Sequence, residues 1–327
     1  MRIVVLHTLE ALEDPRDPVL DQLCETLESL GHHGTLLGIG DRVDPIVAEL
    51  HAAKPDLVFN TAESFGGISA LESNVAALLN LMGLRYTGSS PAGLLLAGDK
   101  TLTKKVLSFH GIKTPEFATV YRGALDWAGD LQFPLIVKPP QEDASLGISS
   151  ASVVRDLQTL FEQIDALQSE FRQPVLLEQF VDGREFYVGV IGNMTPEALP
   201  VIELDFSSFP EGVPRIASWE AKWGEDGRGS GAEFAGTRSV FPEDLAPELV
   251  GRMQRVAIDA YEALRLRDYG RIDLRVDGDD EIYVIEVNPN CYLERESEFA
   301  RAAARAGSEY PALIARLIDL AQARYAR

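Results

Sequence analysis

The first third of the chain alternates short apolar runs with segments of helical periodicity. Apolar runs at Arg2–Leu6 and Leu57–Phe59 predict buried strands. Apolar residues recur at helical spacing over Val19–Leu30 and Leu71–Met82, and a glycine follows shortly after each segment, so both segments predict helices. Strands that alternate with helices in this way are typical of an open parallel sheet, and we therefore expect an α/β fold.

Beyond residue 95 the same patterns predict two further units, divided near residue 180. Residues 218–236 differ from the apolar segments because they are polar and rich in glycine, and they predict an insertion of loop character. The other predicted elements are, in chain order, a helix over Thr101–His110, strands over Phe133–Lys138 and Ile148–Val154, a helix over Asp156–Gln168, strands over Val175–Phe180, Phe186–Ile191 and Leu199–Phe206, and a helix over Glu248–Leu264. We therefore expect three units, over residues 1–95, 96–180 and 181–327.

The clearest chemical signal lies in two β-rich runs between Tyr269 and Asn290, which flank the turn-forming pair Asp277-Gly278. This pattern predicts a hairpin. Because successive side chains of a strand point to opposite faces, a turn centred on Asp279-Asp280 gives the hairpin one apolar and one polar face. The cross-strand pairs expected in this register are Asp273–Glu286 and Arg271–Asn288 on the polar face, and Ile272–Val287, Leu274–Ile285 and Val276–Tyr283 on the apolar face.

The polar face of the predicted hairpin gathers two carboxylates, an amide and a guanidinium. Burying unpaired carboxylates is unfavourable, and a bound cation would remove that cost. Oxygen ligands with no histidine nearby suit Mg²⁺ rather than zinc, so Asp273, Glu286 and Asn288 are candidate metal ligands. The alternative is a solvated strand face with salt bridges, which is less expected because Glu286 and Asn288 lie within an otherwise apolar strand.

Two other strand ends carry polar candidates. Lys138 ends an apolar strand and precedes a loop that contains Ser145 and Gly147. A lysine beside such a loop is suited to holding phosphates, although a solvated strand-end lysine is the common alternative. Glu178 lies on the next strand, and Glu185 follows a short connection. These two carboxylates are either solvated or part of a hinge whose backbone reads adenine while Glu185 meets ribose hydroxyls.

The bulk composition limits the partners of the chain. It has 327 residues, of which 46% are hydrophobic, enough for a large buried core in two or three lobes. A formal charge of −21 disfavours nucleic acid and anionic membranes as partners. No apolar stretch is long enough to span a bilayer, and the opening MRIVVLH is too short for a signal peptide. The two cysteines, Cys24 and Cys291, suit a reducing compartment, so we expect a cytoplasmic protein.

Taken together, these residues resemble the D-alanine–D-alanine ligase branch of the ATP-grasp superfamily. The segments that carry the resemblance match the family in order and spacing, from about residue 57 to the C-terminus. They are GDKTLTKK with Lys100, FPLIVKPP with Lys138, LLEQFVDGREF with Glu178 and Glu185, WEAKW with Lys222, and RID followed by IEVNPN. The fold implied is an α+β ATP-grasp of the α/β class. Its open parallel, Rossmann-like sheet would precede central and C-terminal lobes that clasp ATP.

The resemblance also implies a role for each matching residue. Lys222, on the mobile insertion, would reach the γ-phosphate, and Arg271 would stabilise the oxyanion of the tetrahedral intermediate. Ser297 falls where the family has a serine for the carboxylate of the amine substrate. The implied cofactor ligands are Lys100, Lys138 and Ser145 for the phosphates, Glu178 and the backbone of Gln179 to Val181 for adenine, Glu185 for ribose, and Asp273, Glu286 and Asn288 for two Mg²⁺ ions, which Mn²⁺ could replace.

The chemistry expected of such a site is ATP-dependent formation of a C–N bond. A carboxylate is a poor electrophile, so transfer of the γ-phosphoryl group converts it to an acyl phosphate, which an amine then attacks. Acyl phosphates hydrolyse in water, so a lid is required, and the glycine-rich residues 218–236 are the candidate. The expected partners are small carboxylate and amine substrates of the amino-acid type, and a homodimer is left open.

The chain departs from the family where substrates are recognised. Those ligases close over the first D-alanine with a Glu–Ser–Tyr trio, whereas Ala144, followed by Ser145, and Trp223 stand at the serine and tyrosine positions. Neither Glu10 nor Glu13 is a clear counterpart of the glutamate. The segments FNTAESFGG and PNCYLERES also replace the family's histidine-glycine and glycine-containing segments. We therefore expect a carboxylate–amine ligase whose main product is not D-alanyl-D-alanine.

Two alternatives remain open from the sequence. One is a true D-alanine–D-alanine ligase of cell-wall synthesis with an altered closure network. The other is a non-catalytic ATP-binding regulatory protein that keeps the fold. Lys222 and Arg271 argue against the second alternative, because neither residue is needed merely to hold ATP. Cys291 is interpreted as a packing residue, since the mechanism needs no thiol.

Overall fold

The computed structural model describes residues 1–9, 17–121, 123–128, 131–224 and 231–326, and it begins with a three-stranded parallel sheet. The N-terminal elements are β1 (Arg2–Thr8), α1 (Pro18–Ser29), β2 (His33–Ile39), α2 (Val43–Ala53), β3 (Leu57–Thr61), a 3₁₀ turn (Ser69–Leu71), α3 (Glu72–Leu81) and α4 (Pro91–Ala97). β1 lies between β2 and β3 and runs parallel to both, so the predicted parallel sheet is confirmed. Side chains of β1 alternate between two cores, one with α1 and one with α2 and α3.

The second group of elements builds a five-stranded antiparallel sheet. Its members are α5 (Lys100–Phe109), β4 (Phe117–Tyr121), β5 (Ala124–Ala128), β6 (Leu135–Lys138), a 3₁₀ turn (Ser150–Ser152), β7 (Val153–Val154), α6 (Leu157–Phe171) and β8 (Val175–Gln179). The strand order is β5-β4-β8-β6-β7. α6 covers the sheet with Leu160, Ile164 and Leu167, which the helical repeat brings to one face.

The strand predicted over Ile148–Val154 is wrong over its first five residues. The side chain of Ser149 accepts a hydrogen bond from the backbone N–H of Ala151, and the hydroxyl of Ser152 accepts one from the N–H of Ser149. These local bonds close a 3₁₀ turn, because serine side chains compete with a sheet for backbone partners. Only Val153 and Val154 remain as a strand.

The third group builds a sheet in the order β12-β11-β9-β13-β14, with β10 beside β9. α9 packs on one face, while α10, α11 and α1 meet on the other, so the first and third sheets share a core. No helix in the described ranges is both long and apolar enough to cross a membrane. The elements are β9 (Arg184–Ile191), β10 (Glu197–Ala198), β11 (Ile202–Asp205), α7 (Trp219–Trp223), α8 (Ala232–Gly236), β12 (Arg238–Val240), α9 (Pro247–Ala263), β13 (Tyr269–Val276), β14 (Ile282–Pro289), α10 (Glu298–Arg305) and α11 (Tyr310–Tyr325).

The insertion over residues 218–236 is less irregular than its composition predicts. It contains two short helices, α7 and α8, on either side of residues 225–230, which lie outside the described part of the chain. α7 begins where the hydroxyl of Ser218 accepts a hydrogen bond from the N–H of Ala221 at 3.0 Å. The cap at Ser218 therefore starts a helix that the sequence did not predict, because the neighbouring glycines indicate a loop. The unit boundaries at residues 95 and 180 stay a prediction.

The hairpin of β13 and β14 follows the predicted register only in the half that includes Asp273. Asp273 faces Glu286, Arg271 faces Asn288 and Ile272 faces Val287, as predicted. A β-bulge then shifts the register, so the pairings of Leu274 with Ile285 and of Val276 with Tyr283 are wrong. The observed pairs beyond the bulge are Leu274–Val284, Arg275–Tyr283 and Val276–Ile282. The shift keeps Val284 and Ile282 in the core with Val287, whereas Ile285 is only half-buried.

Candidate active site

The polar face of the β13–β14 hairpin carries a linked group of side chains. Arg271 donates two hydrogen bonds to the carboxylate of Asp273, from Nε at 2.8 Å and from Nη2 at 2.9 Å. The amide of Asn288 donates to the same carboxylate at 3.0 Å, and the guanidinium lies 4.4 Å from the ring centre of Tyr187. Adjacent strands and one shared face thus bring together three of the residues predicted from the sequence.

Glu286 connects this face to α5. Lys100, at the first position of α5, lies 2.7 Å from Glu286 Oε1 and also donates to the backbone carbonyl of Glu142 at 2.5 Å. Burial alone would raise the pKa of Glu286, but Lys100 and Lys222 lower it to about 2. Burial has the larger effect on Asp273 and raises its pKa to about 6 despite Arg271. In the resting site a cation therefore already faces each carboxylate.

A second ion-paired group lies beneath the loop that follows β6. Both oxygens of the Glu178 carboxylate are paired, one with Lys104 at 2.7 Å and the other with Lys138 at 2.6 Å. Burial alone would raise the pKa of Glu178, but the two lysines hold it below its ordinary value. Burial lowers the pKa of Lys104 to about 8 even though Glu178 opposes the shift. Lys138 thus lies in this group as a partner of Glu178, and its role as a phosphate ligand stays a prediction.

Sequence reasoning missed Lys104 and Arg275, although the position of each residue in the sequence pattern could have identified it. Lys104 follows Lys100 by four residues, so the two lysines share one face of α5. Arg275 continues the alternation of Arg271 and Asp273 along β13. It lies 3.0 Å from Glu185 and donates to the carbonyls of Val181 and Arg215. Arg275 therefore fixes both the predicted ribose ligand and the predicted adenine-binding backbone.

Three hydrogen bonds join the loop after β6 to the insertion and to Ala217, the residue that precedes it. The hydroxyl of Ser145 donates to the carbonyl of Ala217 at 2.5 Å, and the N–H of Trp219 donates to the carbonyl of Ile148 at 2.8 Å. The indole of Trp223 donates to the carbonyl of Ala144 at 3.0 Å. The two positions at which the chain departs from the family are therefore in contact, through an indole and a main-chain carbonyl.

Limited proteolysis tests whether residues 218–236 act as a lid that closes on nucleotide. We expect cleavage within residues 218–236 to slow when ATP and Mg²⁺ are present, because phosphates near Lys222 would hold α7 against the loop. Trp223→Phe removes the indole donor and should speed cleavage in the absence of nucleotide. Trp127→Phe, a tryptophan replacement in β5, is the matched control. Equal cleavage with and without ATP and Mg²⁺ would contradict a nucleotide-dependent lid.

Nine of the residues predicted from the sequence line one cleft between the second and third sheets. They are Lys138, Ser145, Glu178, Gln179, Val181, Glu185, Lys222, Asp273 and Glu286. Lys100, Arg271 and Asn288 join this cleft through their bonds to Glu286 and Asp273. Among the described residues no three His, Cys, Asp or Glu side chains form a group that could hold a metal. The two carboxylates and one amide would therefore need further oxygens, such as those of a phosphate, to complete a Mg²⁺ site.

A separate cavity lies where the ends of β1 and β3 meet the segment after β14. Its lining includes His7, Thr61, Glu63 and Tyr292. The phenol of Tyr292 donates to Asp17 at 2.6 Å, which ties this segment to the start of α1. Glu10 and Glu13, the uncertain counterparts of the family glutamate, lie outside the described residues.

Cys291 is a free cysteine that is buried in the wall of the second cavity. Burial raises the pKa of Cys291 to about 12, so the thiol stays protonated near neutral pH. The interpretation of Cys291 as a packing residue agrees with this environment.

Ser297 and Glu298 lie at the start of α10, on the far side of Arg271. Ser297 caps the helix, because its hydroxyl oxygen accepts from the N–H of Ala300 while its proton goes to the carbonyl of Tyr292 at 3.1 Å. Glu298 lies 3.7 Å from Arg271 and accepts a hydrogen bond from Ser239 at 2.8 Å. The role predicted for Ser297 as a carboxylate ligand stays a prediction.

Comparison with known proteins identifies the family to which the chain is similar. Residues 106–319 match the family model described as D-ala D-ala ligase C-terminus. The protein y4sG of Sinorhizobium fredii is 31% identical over 322 residues, which cover 95% of this chain and 89% of that protein. A D-alanine–D-alanine ligase of Bordetella petrii is 32% identical over 298 residues, which cover 90% of this chain and 84% of that ligase.

The fold also matches a solved structure. The D-alanine–D-alanine ligase of Bacillus anthracis complexed with ATP superposes with a TM-score of 0.75 at 22% identity, over 98% of this chain and 97% of that one. The likeness extends the match to the N-terminal sheet, which lies outside the family model. The chain belongs to the D-alanine–D-alanine ligase family of the ATP-grasp superfamily, and it is an ATP-dependent ligase that forms C–N bonds.

Proposed function

We propose that the protein joins a small amino-acid-like carboxylate to an amine through an acyl phosphate, and that its main product is not D-alanyl-D-alanine. One observation carries the assignment of the reaction: around the two opposed carboxylates of the hairpin, Asp273 and Glu286, four cationic side chains converge on a cleft that Glu178, Glu185 and Arg275 also line. The cations are Lys100, Lys138, Lys222 and Arg271. Lysines that are paired with carboxylates in the cleft suit the binding of a polyphosphate, because incoming phosphates would replace the carboxylates as partners of the lysines.

In this proposal the lysines position ATP for transfer. Lys100 and Lys138 are held at the cleft by Glu286 and Glu178, so each turns from a carboxylate to a phosphate without a large movement. Glu185 and the backbone near Val181, both fixed by Arg275, would receive the nucleoside. Lys222 would meet the γ-phosphate, since its charge already acts on Asp273 and Glu286.

The metal site fits Mg²⁺ on its donor set. Asp273, Glu286 and Asn288 supply only oxygen ligands from facing positions of one hairpin, and ATP phosphates would add the remaining oxygens. When bound, Mg²⁺ would neutralise the charge that develops on the transferred phosphoryl group. Arg271, released from Asp273, would donate to the oxyanion formed when the amine attacks the acyl carbon. Expulsion of phosphate then leaves the new C–N bond.

The substrate assignment rests on the contact between Ala144 and Trp223. In the resembling ligases hydroxyl groups close the site over D-alanine, whereas alanine has no hydroxyl and indole can only donate. In this chain that donor is taken by the carbonyl of Ala144. A small zwitterion would lose hydrogen bonds of roughly 1–3 kcal/mol each, or about one to two factors of ten in affinity.

We therefore expect D-alanine to be a poor substrate. In phosphate-release assays with ATP and Mg²⁺, its kcat/KM should be at least about tenfold lower than that of the best acid in a panel of D- and L-amino acids and larger carboxylates. The bulky indole of Trp223, which is partly exposed, favours an apolar or larger acid. Omission of the amine controls for simple ATP hydrolysis. If D-alanine proves the best substrate at both positions, the protein is a D-alanine–D-alanine ligase with an altered closure.

A further inference from the structure

An anionic side chain occupies the start of α10, close to the proposed oxyanion-stabilising arginine. Glu298 is the first residue of this helix, and its side chain is 29% exposed. One carboxylate oxygen accepts from the hydroxyl of Ser239 at 2.8 Å, while the other lies 3.7 Å from Nη1 of Arg271. The backbone N–H of Glu298 also bonds the carboxylate of the same residue. The donors at the helix N-terminus therefore already hold an anion that belongs to the protein.

This carboxylate is ionised. Burial alone would raise the pKa of Glu298, but Arg271, the backbone N–H, Ser239 and Lys222 together hold it below its ordinary value. Arg271 cannot offset it fully, because the guanidinium already makes a bidentate pair with Asp273. In the structure Arg271 is thus shared between two carboxylates, Asp273 and Glu298, and the charge of Lys222 acts on both.

The neighbouring hydroxyl of Ser297 already has two partners in the structure. Ser297 has one proton, which goes to the carbonyl of Tyr292, and its oxygen caps α10. To donate to a substrate carboxylate, Ser297 would have to give up the bond to Tyr292. A substrate carboxylate placed there would also meet the carboxylate of Glu298 one residue away, and like charges at such a distance repel.

We propose that Glu298 selects the amine substrate by charge, and that the enzyme uses amines that carry no free carboxylate beside the amino group, such as amino-acid amides. This inference rests on the function proposed above and deepens it by naming the class of the amine. Glu298 takes the position of the carboxylate that a free amino acid would bring. An amide nitrogen, by contrast, can donate a hydrogen bond to Glu298.

Matched pairs of amines test the inference. Glycine is compared with glycinamide, and D-alanine with D-alaninamide, using the full-length protein, ATP, Mg²⁺ and the acid that gives the strongest signal with hydroxylamine. Hydroxylamine attacks the acyl carbon, the bond to phosphate breaks, and a hydroxamate forms with release of phosphate and a proton. Because hydroxylamine carries no carboxylate, its hydroxamate reports the acyl phosphate independently of amine selection.

For the wild-type enzyme we expect kcat/KM for each amide to exceed that of its free amino acid by about tenfold or more. Glu298→Gln, which keeps the shape and the contact with Ser239, should lower this ratio to within about threefold of unity. Glu296→Gln, at an exposed position on the same segment, should leave the ratio unchanged. The ratio of kcat/KM for the amide to kcat/KM for the free amino acid is taken within each variant, so a partly folded variant still reports its selectivity. The hydroxamate rate of each variant reports how much acyl phosphate it forms.

Two results would overturn the inference, and they are distinguishable. Hydroxamate formation with equal or better use of the free amino acids, or an unchanged ratio in Glu298→Gln, overturns the role of Glu298 and leaves the proposed ligase reaction intact. Absence of hydroxamate with every acid overturns the proposed acyl-phosphate chemistry, and the choice of amine with it.

Discussion

Replacement of Glu286 by glutamine is expected to lower ligase turnover by about 10²- to 10³-fold, the scale seen when one preorganised charge is removed from an active site. The carboxylate has two proposed tasks, since it faces Asp273 across the hairpin and holds Lys100 at 2.7 Å. Glutamine keeps the shape but offers only one neutral oxygen. Phosphate release with the preferred acid and amine measures the loss, and circular dichroism checks that the fold is kept.

The same strand supplies the control. Glu281 lies next to the start of β14 and pairs with Lys113 at 2.9 Å, with both side chains about half exposed. Glu281→Gln removes the same charge from the surface, so turnover should stay close to that of the wild type. Normal activity in Glu286→Gln would exclude Glu286 as a metal ligand and would leave the salt-bridged strand face as the better interpretation of the hairpin.

Replacement of Glu178 by glutamine is expected to destabilise the fold by about 3–5 kcal/mol, because it removes the carboxylate that two buried lysines share. Lys104 and Lys138 would lose their shared partner with little access to water, and the pKa of Lys104, which burial already lowers to about 8, would fall further without Glu178. Urea denaturation measures the change in the free energy of unfolding. Adding Lys104→Met to Glu178→Gln replaces one of the two buried amines left without a partner by an apolar side chain, so the double variant should recover part of the lost stability.

A neighbouring ion pair shows what a surface pair contributes. Lys105 follows Lys104 in α5 and pairs with Asp126 at 2.6 Å, but both side chains are largely exposed. Asp126→Asn should therefore cost less than about 1 kcal/mol. Equal losses in Asp126→Asn and Glu178→Gln would show that burial does not govern the Lys104–Glu178–Lys138 group, and Glu178 would then have no special structural role.

The sequence predicted the polar face of the hairpin well, because strand alternation is a strict geometric rule. It placed Asp273 opposite Glu286 and Arg271 opposite Asn288, and both pairs are confirmed. Beyond Asp273 the prediction failed, since four of the five residues from Ile282 to Glu286 are apolar or aromatic and the pattern does not show which one is extra. Burial of Val284 with Val287, three residues apart on one strand, reveals the bulge only in the folded chain.

The contacts that decide substrate choice were the hardest to predict. They involve main-chain atoms, such as the carbonyl of Ala144 that accepts from Trp223, and no residue type marks a carbonyl in advance. Glu298 was missed for a related reason, because a glutamate in the first turn of a helix is ordinarily a capping residue. Its position beside Arg271 depends on how α10 packs against β9, a contact between segments about a hundred residues apart.

The bulge in β14 gives the cleft a lining residue that has no partner across the hairpin. Ile285 is the extra residue, and it lines the cleft that Glu185 also lines. Loss of Ile285 would join Val284 to Glu286 and leave every other cross-strand pair with its present partner. In evolutionary terms, the gain or loss of one codon at this position would reshape the cleft, while the other residues of the strand would keep their places on its core face or its cleft face.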